Sequence, residues 1–223
     1  MDAASISAAL GLGFALGLLH ALDPDHVLAV ANLGNDRGNR RSSLAFCGRW
    51  ALGHGAVLLL IGAGVLFAGQ AMPVMLSEIA ESLVAYVLIA LGIWVFWTLG
   101  FGVPPLQLHR HGRHGRHLHV SGLPTHRSGQ LAVMVGSLHG LAGSASLLAL
   151  LPLTQLTSPW LGMLYLVLFA LGVLLAMLAL GRALDGLFRL GRRGKGVWVN
   201  RLRAASASLA IGFGFYLLQG YWF

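Results

Sequence analysis

The chain alternates between long apolar runs and short polar segments, and this pattern predicts membrane-spanning helices. Six runs hold few or no charged residues and are long enough to cross a hydrocarbon core, which needs about 20 apolar residues in a helix. They cover residues 3–33, 44–69, 83–103, 129–153, 160–181 and 202–223. We therefore predict an all-α polytopic membrane protein with six transmembrane helices.

Composition supports this class and argues against others. Of the 223 residues, 57% are hydrophobic and 10% are charged, whereas soluble domains are about 25% charged. The composition excludes a disordered chain and argues against an ordinary soluble enzyme. The one cysteine, Cys47, excludes an internal disulfide and a CxxC metal site.

The basic residues predict the orientation in the membrane. The chain has 15 Lys+Arg against 7 Asp+Glu, and every basic residue lies in or around the first, third or fifth connection. Because basic connections stay in the cytoplasm, both termini are predicted to be non-cytoplasmic, with the protein in the inner (cytoplasmic) membrane. Short arginine clusters between apolar runs also favour a lipid bilayer over nucleic acid as the partner.

Short matches at a nearly constant offset indicate an internal repeat. Segments 17–22, 50–53 and 89–92 match segments 136–141, 169–172 and 209–212, at offsets of 119, 119 and 120 residues. Chance similarity of Leu-, Ala- and Gly-rich helices is the alternative, and the shared offset counts against it. Because three is odd, the second copy enters from the opposite side. We predict two inverted three-helix repeats, 1–103 and 129–223, joined by a His/Arg-rich cytoplasmic loop at 104–128.

A polar cluster interrupts the first apolar run. His20, Asp23, Asp25 and His26 lie within seven residues, and a charged group at the centre of a span costs about 3 kcal/mol unless it has a partner or serves an ion. On an unbroken helix, Asp25 lies outside the face that the other three share. Pro24 cannot donate to the carbonyl of His20, so we predict a broken helix with that oxygen free beside the cluster. Mutual pairing of the charges is the alternative to an ion site.

The candidate metal ligands extend beyond this cluster. Imidazole nitrogen with carboxylate oxygen suits borderline divalent ions such as Ni²⁺, Co²⁺ or Zn²⁺, whereas Cu⁺ prefers sulfur. Two further histidines lie in predicted spans, and each alone could instead bond a carbonyl across a helix interface. The repeat places His139 opposite His20, where the two halves can share one ion. The candidate ligands are His20, Asp23, Asp25, His26, His54 and His139.

Two motifs resemble those of a known family. His20-x4-Asp25-His26 is similar to the H-x4-D-H signature of the nickel/cobalt transporter superfamily, and the Leu-Gly-His sequence that ends at His54 is similar to its second motif. The resemblance covers the first two predicted helices in motif and the remainder in hydropathy and topology. It implies a short, six-helix, urease-accessory-like branch in which His20, Asp25, His26 and His54 belong to the metal path.

Six further histidines lie in the predicted loop at 104–128. Closely spaced imidazoles in a flexible segment bind divalent metal without a fold, which makes the loop a candidate buffer or sensor of cytoplasmic metal. The interleaved arginines make a solvated basic tether the alternative. The histidines are His109, His111, His114, His117, His119 and His126.

Together these patterns predict a transporter of a divalent transition metal, nickel or cobalt, rather than an enzyme. No nucleotide-binding motif is present, so an ion gradient or a partner would supply the energy. The metal is the substrate, and no prosthetic cofactor is expected. The alternatives are a membrane-embedded metalloenzyme with histidine ligands and a non-transporting accessory subunit. The direction of transport stays open, as does the choice between a homo-oligomer and a complex with a partner subunit.

Overall fold

The computed structural model describes residues 2–33, 40–69, 73–100, 106–107, 119–120, 125–142, 158–193 and 197–220. Within these ranges the chain forms seven helices and one pair of two-residue strands. In chain order they are α1 (Ala3–His20), α2 (Pro24–Leu33), α3 (Arg40–Ala68), α4 (Val74–Gly100), β1 (Leu106–Gln107), β2 (His119–Val120), α5 (Thr125–Leu141), α6 (Pro159–Arg193) and α7 (Val197–Gln219). The strands pair antiparallel, with Leu106 opposite Val120.

Within the part of the chain that the structure describes, four helical segments are long and apolar enough to cross a membrane, namely Ala3–His20, Ser43–Ala68, Val74–Gly100 and Pro159–Leu187. Helices α5 and α7 lie where the fourth and sixth spans are predicted, but α5 has 17 residues and α7 carries Arg201 and Arg203 near its start. The chain is thus a helical membrane protein, and the number of six spans stays a prediction. The loop histidines His109, His111, His114 and His117 lie outside the described residues.

The first predicted span is broken at the predicted place. α1 ends at His20, residues 21–23 form a turn, and α2 begins at Pro24. Proline suits the first position of a helix because its missing N–H would have no partner there. The prediction of a free carbonyl at His20 is wrong, because the N–H of Asp23 donates to that oxygen at 3.0 Å. The turn itself satisfies the backbone group that the proline leaves without a donor.

Helices from the two halves of the chain pack against each other in pairs. α1 packs on α6 and α3 on α5, while α3 also crosses α6 and α4 packs on α7. The short α2 lies against α4 and α7. The largest buried cluster joins α3, α5 and α6 and includes Phe46, Trp50, Phe169 and Val173. Ala21 belongs to the same cluster, so the polar turn between α1 and α2 borders this apolar core.

Two close helix approaches are related by the offset found in the sequence. A Cβ at Gly17 in α1 would overlap the carbonyl of Phe169 in α6, and a Cβ at Gly136 in α5 would overlap the carbonyl of Trp50 in α3. Gly136 follows Gly17, and Phe169 follows Trp50, by 119 residues. Glycine is needed at both places because any side chain would separate the two backbones.

The third pair of matching segments packs in a different register. A Cβ at Gly92 would lie 2.7 Å from the carbonyl oxygen of Ala207, and a Cβ at Gly214 would lie 2.8 Å from that of Ala85. These contacts relate Gly92 to Gly214, at an offset of 122 residues. The sequence match pairs Gly92 with Gly212 instead, where a Cβ meets no described atom within 4 Å. The predicted offset of 120 is therefore wrong for the last pair of helices.

The close approach at Gly17 gives a prediction for stability. We expect Gly17→Ala to lower the free energy of unfolding by about 1–3 kcal/mol, the usual cost of overpacking a tight contact. Gly11→Ala in the same helix is the matched control, because a Cβ there meets no described atom within 4 Å. The control should gain up to about 1 kcal/mol from helix propensity. Thermal unfolding in detergent measures both variants, and equal melting temperatures would contradict the close approach.

Candidate metal centre

Four histidines from four helices meet where the first span is broken. His20 ends α1, His26 lies in the first turn of α2, His54 lies in α3, and His139 lies near the end of α5. Their exposed fractions are 9%, 2%, 0% and 1%, in that order. Buried polar groups in proteins normally have hydrogen-bond partners or a bound ion. The partners of each ring nitrogen therefore decide what this centre can do.

Three of the imidazoles are close enough to share one metal ion. His20, His26 and His54 each offer a ligand atom, and these atoms lie within 4.8 Å of one another. The Nε2 atoms of His20 and His54 are 3.3 Å apart. Two nitrogens bound tetrahedrally at about 2.0–2.1 Å from one ion also lie about 3.3 Å apart. Two ligand atoms at the upper limit of 4.8 Å have to approach each other by about 1.5 Å, which is within the range of side-chain rotation.

The two aspartates contact the histidines on their other ring nitrogens. Oδ2 of Asp23 is 2.8 Å from Nδ1 of His20, and Oδ1 of Asp25 is 2.8 Å from Nδ1 of His26. A carboxylate at Nδ1 holds the proton there and leaves Nε2 with a lone pair, as in many carboxylate–histidine–metal sites. Asp23 and Asp25 are thus placed to orient His20 and His26 rather than to lie beside the free nitrogens. Their side chains are 39% and 22% exposed.

Three ring nitrogens of the centre are buried without a hydrogen-bond partner among the described residues. They are Nε2 of His26, Nδ1 of His54 and Nε2 of His139. An unpaired buried polar atom costs about 1–3 kcal/mol. A cation satisfies a nitrogen that carries a lone pair, as Nε2 of His26 does when Asp25 holds the proton on Nδ1. Nε2 of His26, which belongs to the three-histidine group, therefore fits a metal site better than a set of mutually paired charges.

His139 is held differently from the other three histidines. Its Nδ1 donates to the carbonyl of Val135, one turn earlier in α5, at 2.8 Å. The lone pair is therefore on Nε2. The ring centroid lies 5.3 Å from that of His26 and 5.3 Å from that of Trp50. His139 thus borders the three-histidine group without belonging to it, and its predicted sharing of an ion with His20 stays a prediction.

Two aromatic rings that sequence reasoning did not assign to the site lie against the histidines. Trp50 stacks on His54, with centroids 5.4 Å apart and planes inclined by 15°, and meets His26 edge-on at 4.8 Å. Phe169 lies 5.4 Å from His20. A signal for Trp50 was present, because it precedes His54 by one helical turn and shares its face. Both rings are buried and exclude water from the imidazoles.

The role of His139 is testable by a double-mutant cycle. We expect His20→Ala to weaken Ni²⁺ binding more than His139→Ala, because only His20 lies in the three-histidine group. The double variant should lose less than the sum of the two losses, as ligands that act on one ion do. Calorimetry on the wild type and the three variants gives the affinities. Strictly additive losses would mean that His139 is an interface histidine.

Comparison with known proteins finds one relevant similarity. The chain is 33% identical over 187 residues to the urease accessory protein UreH of Bacillus sp. (strain TB-90), which covers 80% of this chain and 77% of that relative. No protein-family model and no solved structure matches the chain. The similarity therefore extends over most of both proteins and well beyond the two motifs of the first helices.

Proposed function

The chain belongs to the family of the urease accessory protein UreH, and from this premise we propose that it transports a divalent transition metal, foremost nickel, across a membrane. One observation carries the proposal. His20, His26 and His54 form a buried group of possible ligands at a helix break in a membrane protein. Ionisable side chains at membrane depth are costly unless they serve an ion or another partner.

Nickel is supported by the ligands and by the relative. Imidazole nitrogen with nearby carboxylates suits borderline ions, among them Ni²⁺ and Co²⁺. The motif formed by His20, Asp25 and His26 is the one that resembles nickel/cobalt transporters. The relative is named as a urease accessory protein, which accords with a nickel-related role. Cobalt is the second cargo we propose.

The chemistry of the centre follows from its proton positions. The Nε2 lone pairs of His20 and His26 replace water around the ion. Asp23 and Asp25 hold the protons on the Nδ1 atoms, each with a carboxylate oxygen 2.8 Å from the nitrogen. The two carboxylates offset the two positive charges of the ion in a poorly hydrated site. Three nitrogen ligands leave a coordination position open, which favours exchange over permanent retention.

We place the centre between two inverted three-helix repeats. Support comes from the packing, in which α1 contacts α6 as α3 contacts α5. Gly17 and Gly136 occupy the same position in these two contacts. Inverted repeats assemble a substrate site near the midplane from both halves, and the four histidines come from helices of both. Six spans, the inner membrane and an ion gradient or partner as energy source complete the proposal.

The proposed orientation has a direct test. Single cysteines at Ser5 and at Gly220, two exposed positions near the termini, are introduced into a Cys47→Ser protein. Both should react with a membrane-impermeant maleimide in intact cells, because the distribution of the basic residues predicts non-cytoplasmic termini. Labelling only after lysis would overturn the orientation but not the metal site.

Transport itself is tested with the purified chain in liposomes that contain a metal-sensitive dye. We expect saturable uptake of Ni²⁺ and Co²⁺, no uptake of Mg²⁺, and loss of uptake in His26→Ala. Leu52→Ala is the control, because this exposed side chain lies in α3 two residues before His54 and should leave uptake unchanged. Absence of flux in the wild-type protein would reject transport by the chain alone.

The relative is named as an accessory protein, which favours a second candidate, a non-transporting accessory subunit. The same liposomes separate the two, because an accessory subunit would bind Ni²⁺ at the histidines without moving it. We do not propose an enzyme. The carboxylates closest to the centre, Asp23 and Asp25, are bonded to His20 and His26 instead of standing free as ligands or bases.

A further inference from the structure

We propose that two pairs of buried aromatic side chains are gates that close the histidine centre from opposite sides, an inference that rests on the proposed transport. One pair is Phe46 and Trp50 in α3, and the other is Tyr165 and Phe169 in α6. These four are the largest fully buried side chains among the described residues. Their size and burial are the reason to assign them the barrier between the centre and solvent.

The two pairs occupy equivalent positions in the two halves. Tyr165 follows Phe46, and Phe169 follows Trp50, by the same 119 residues. Trp50 contacts His54 and His26, and Phe169 contacts His20. Phe46 and Tyr165 each lie one helical turn before their partner and therefore on the same helix face. Each half of the chain thus supplies one aromatic pair, and the second residue of each pair contacts a histidine of the centre.

Trp50 and Phe169 lie at different levels along the axis of α3, on either side of His54. In α3, Gly48, Gly55 and Gly62 meet Leu178, Ala170 and Leu166 of α6 in turn, so the two helices run antiparallel. Because Gly55 meets Ala170 and the helices are antiparallel, Phe169 lies at the level of Ala56. Trp50 lies one turn before His54, so the backbone positions of Trp50 and Phe169 are about 9 Å apart along α3, with His54 between them.

The backbones of both ring residues are fixed, so the side chains have to move. The carbonyl of Phe169 lies against Gly17 and that of Trp50 against Gly136, with no room for a Cβ. Rotation about χ1 and χ2 is the motion left to a ring whose backbone is held. Opening one ring at a time exposes the histidines to one side of the membrane only, which is the requirement of alternating access.

Core packing alone does not account for Tyr165. Its hydroxyl is buried without a hydrogen-bond partner among the described residues, and such burial is unfavourable. Phenylalanine would fill the same space without this cost, as Phe46 does at the equivalent position. If a hydrated ion passes Tyr165 when this gate opens, water reaches the hydroxyl and becomes its hydrogen-bond partner.

The test measures access to the centre and needs no metal. Ala21 is 0% exposed, follows His20 and belongs to the same buried cluster as Trp50 and Phe169, so Ala21→Cys in a Cys47→Ser protein reports on access to the histidines. A small charged methanethiosulfonate is applied to intact cells or to inverted vesicles. Phe169→Ala should speed the reaction only from the side where α1 begins, and Trp50→Ala only from the other, each by about tenfold or more, since the ring that must move is gone.

Controls keep the outcome decisive. Phe213→Ala removes a half-buried ring that packs on a separate buried cluster, which includes Leu28 and Leu88, and should leave the rate unchanged. Ser137→Cys, a second reporter whose hydroxyl lies 3.4 Å from the carbonyl of Gly53, replaces Ala21→Cys if that variant misfolds. Unchanged rates in both ring variants, or equal acceleration from both sides in each, would overturn the gates. Side-specific labelling without Ni²⁺ flux would instead retain the gates and reject transport.

Discussion

The His26→Ala variant is expected to lose more than about 100-fold in Ni²⁺ affinity. Removal of a residue that only hydrogen-bonds to a metal ligand costs about 10–100-fold, and loss of a ligand should cost more. His26 is the most central of the four imidazoles. Its ring centroid lies 4.6 Å from that of His20, 5.4 Å from that of His54 and 5.3 Å from that of His139. Calorimetry with Ni²⁺ on the purified variant measures the loss.

A fold control is needed because His26 is buried. Thermal unfolding of metal-free His26→Ala should remain cooperative, since the variant removes the unpaired Nε2 as well as the ring. Leu52→Ala, an exposed neighbour of the site on α3, should bind Ni²⁺ as the wild type does. Wild-type affinity in a folded His26→Ala protein would show that the metal binds elsewhere.

Asp25→Asn should weaken Ni²⁺ binding by about 10–100-fold, without abolishing it. Oδ1 of Asp25 lies 2.8 Å from Nδ1 of His26 and holds the proton on that nitrogen. The amide of asparagine has the same shape as the carboxylate but carries no charge. Asp23→Asn is the matched variant, with the same distance to His20 but a more exposed carboxylate. Its effect should be smaller, because solvent screens an exposed charge.

These two variants separate an orienting role from a ligand role. If Asp25 were itself a ligand, Asp25→Asn would lose as much affinity as His26→Ala. Equal effects of Asp23→Asn and Asp25→Asn would show that exposure does not matter at this centre. Calorimetry over a range of ionic strength distinguishes these outcomes, because a screened contribution falls as salt rises.

The broken first helix was predictable from sequence, but the roles of its aspartates were not. Pro24 and the cluster of ionisable residues fix the place of the break. The helix periodicity groups Asp23 with His20 and His26, and the break at Pro24 adds Asp25 as a further candidate ligand, which the resemblance also implies. Side-chain direction beyond a break depends on the geometry of the turn, in which Asp23 donates its N–H to His20. Periodicity says nothing about that geometry, so it could not place either carboxylate behind a histidine.

Pairing of distant helices was predictable only in part. The offset of 119 residues relates Gly17 to Gly136 and Trp50 to Phe169, and both pairs take equivalent positions in the packing. In the last helices the sequence match at Gly212 is misleading, because Gly214 makes the contact. Leu, Ala and Gly recur so often in membrane helices that a four-residue match does not fix the register. The close approach of two backbones at a glycine does fix the register.

X-ray absorption at the nickel edge of the Ni²⁺-loaded protein tests the central claim most directly. We expect an imidazole signature with about three nitrogen ligands at about 2.0–2.1 Å, and one imidazole fewer in any His26→Ala protein that still holds Ni²⁺. His20, His26 and His54 are the expected ligands. A spectrum of oxygen ligands without imidazole, or one that is identical in wild type and His26→Ala, would contradict a metal site at these histidines.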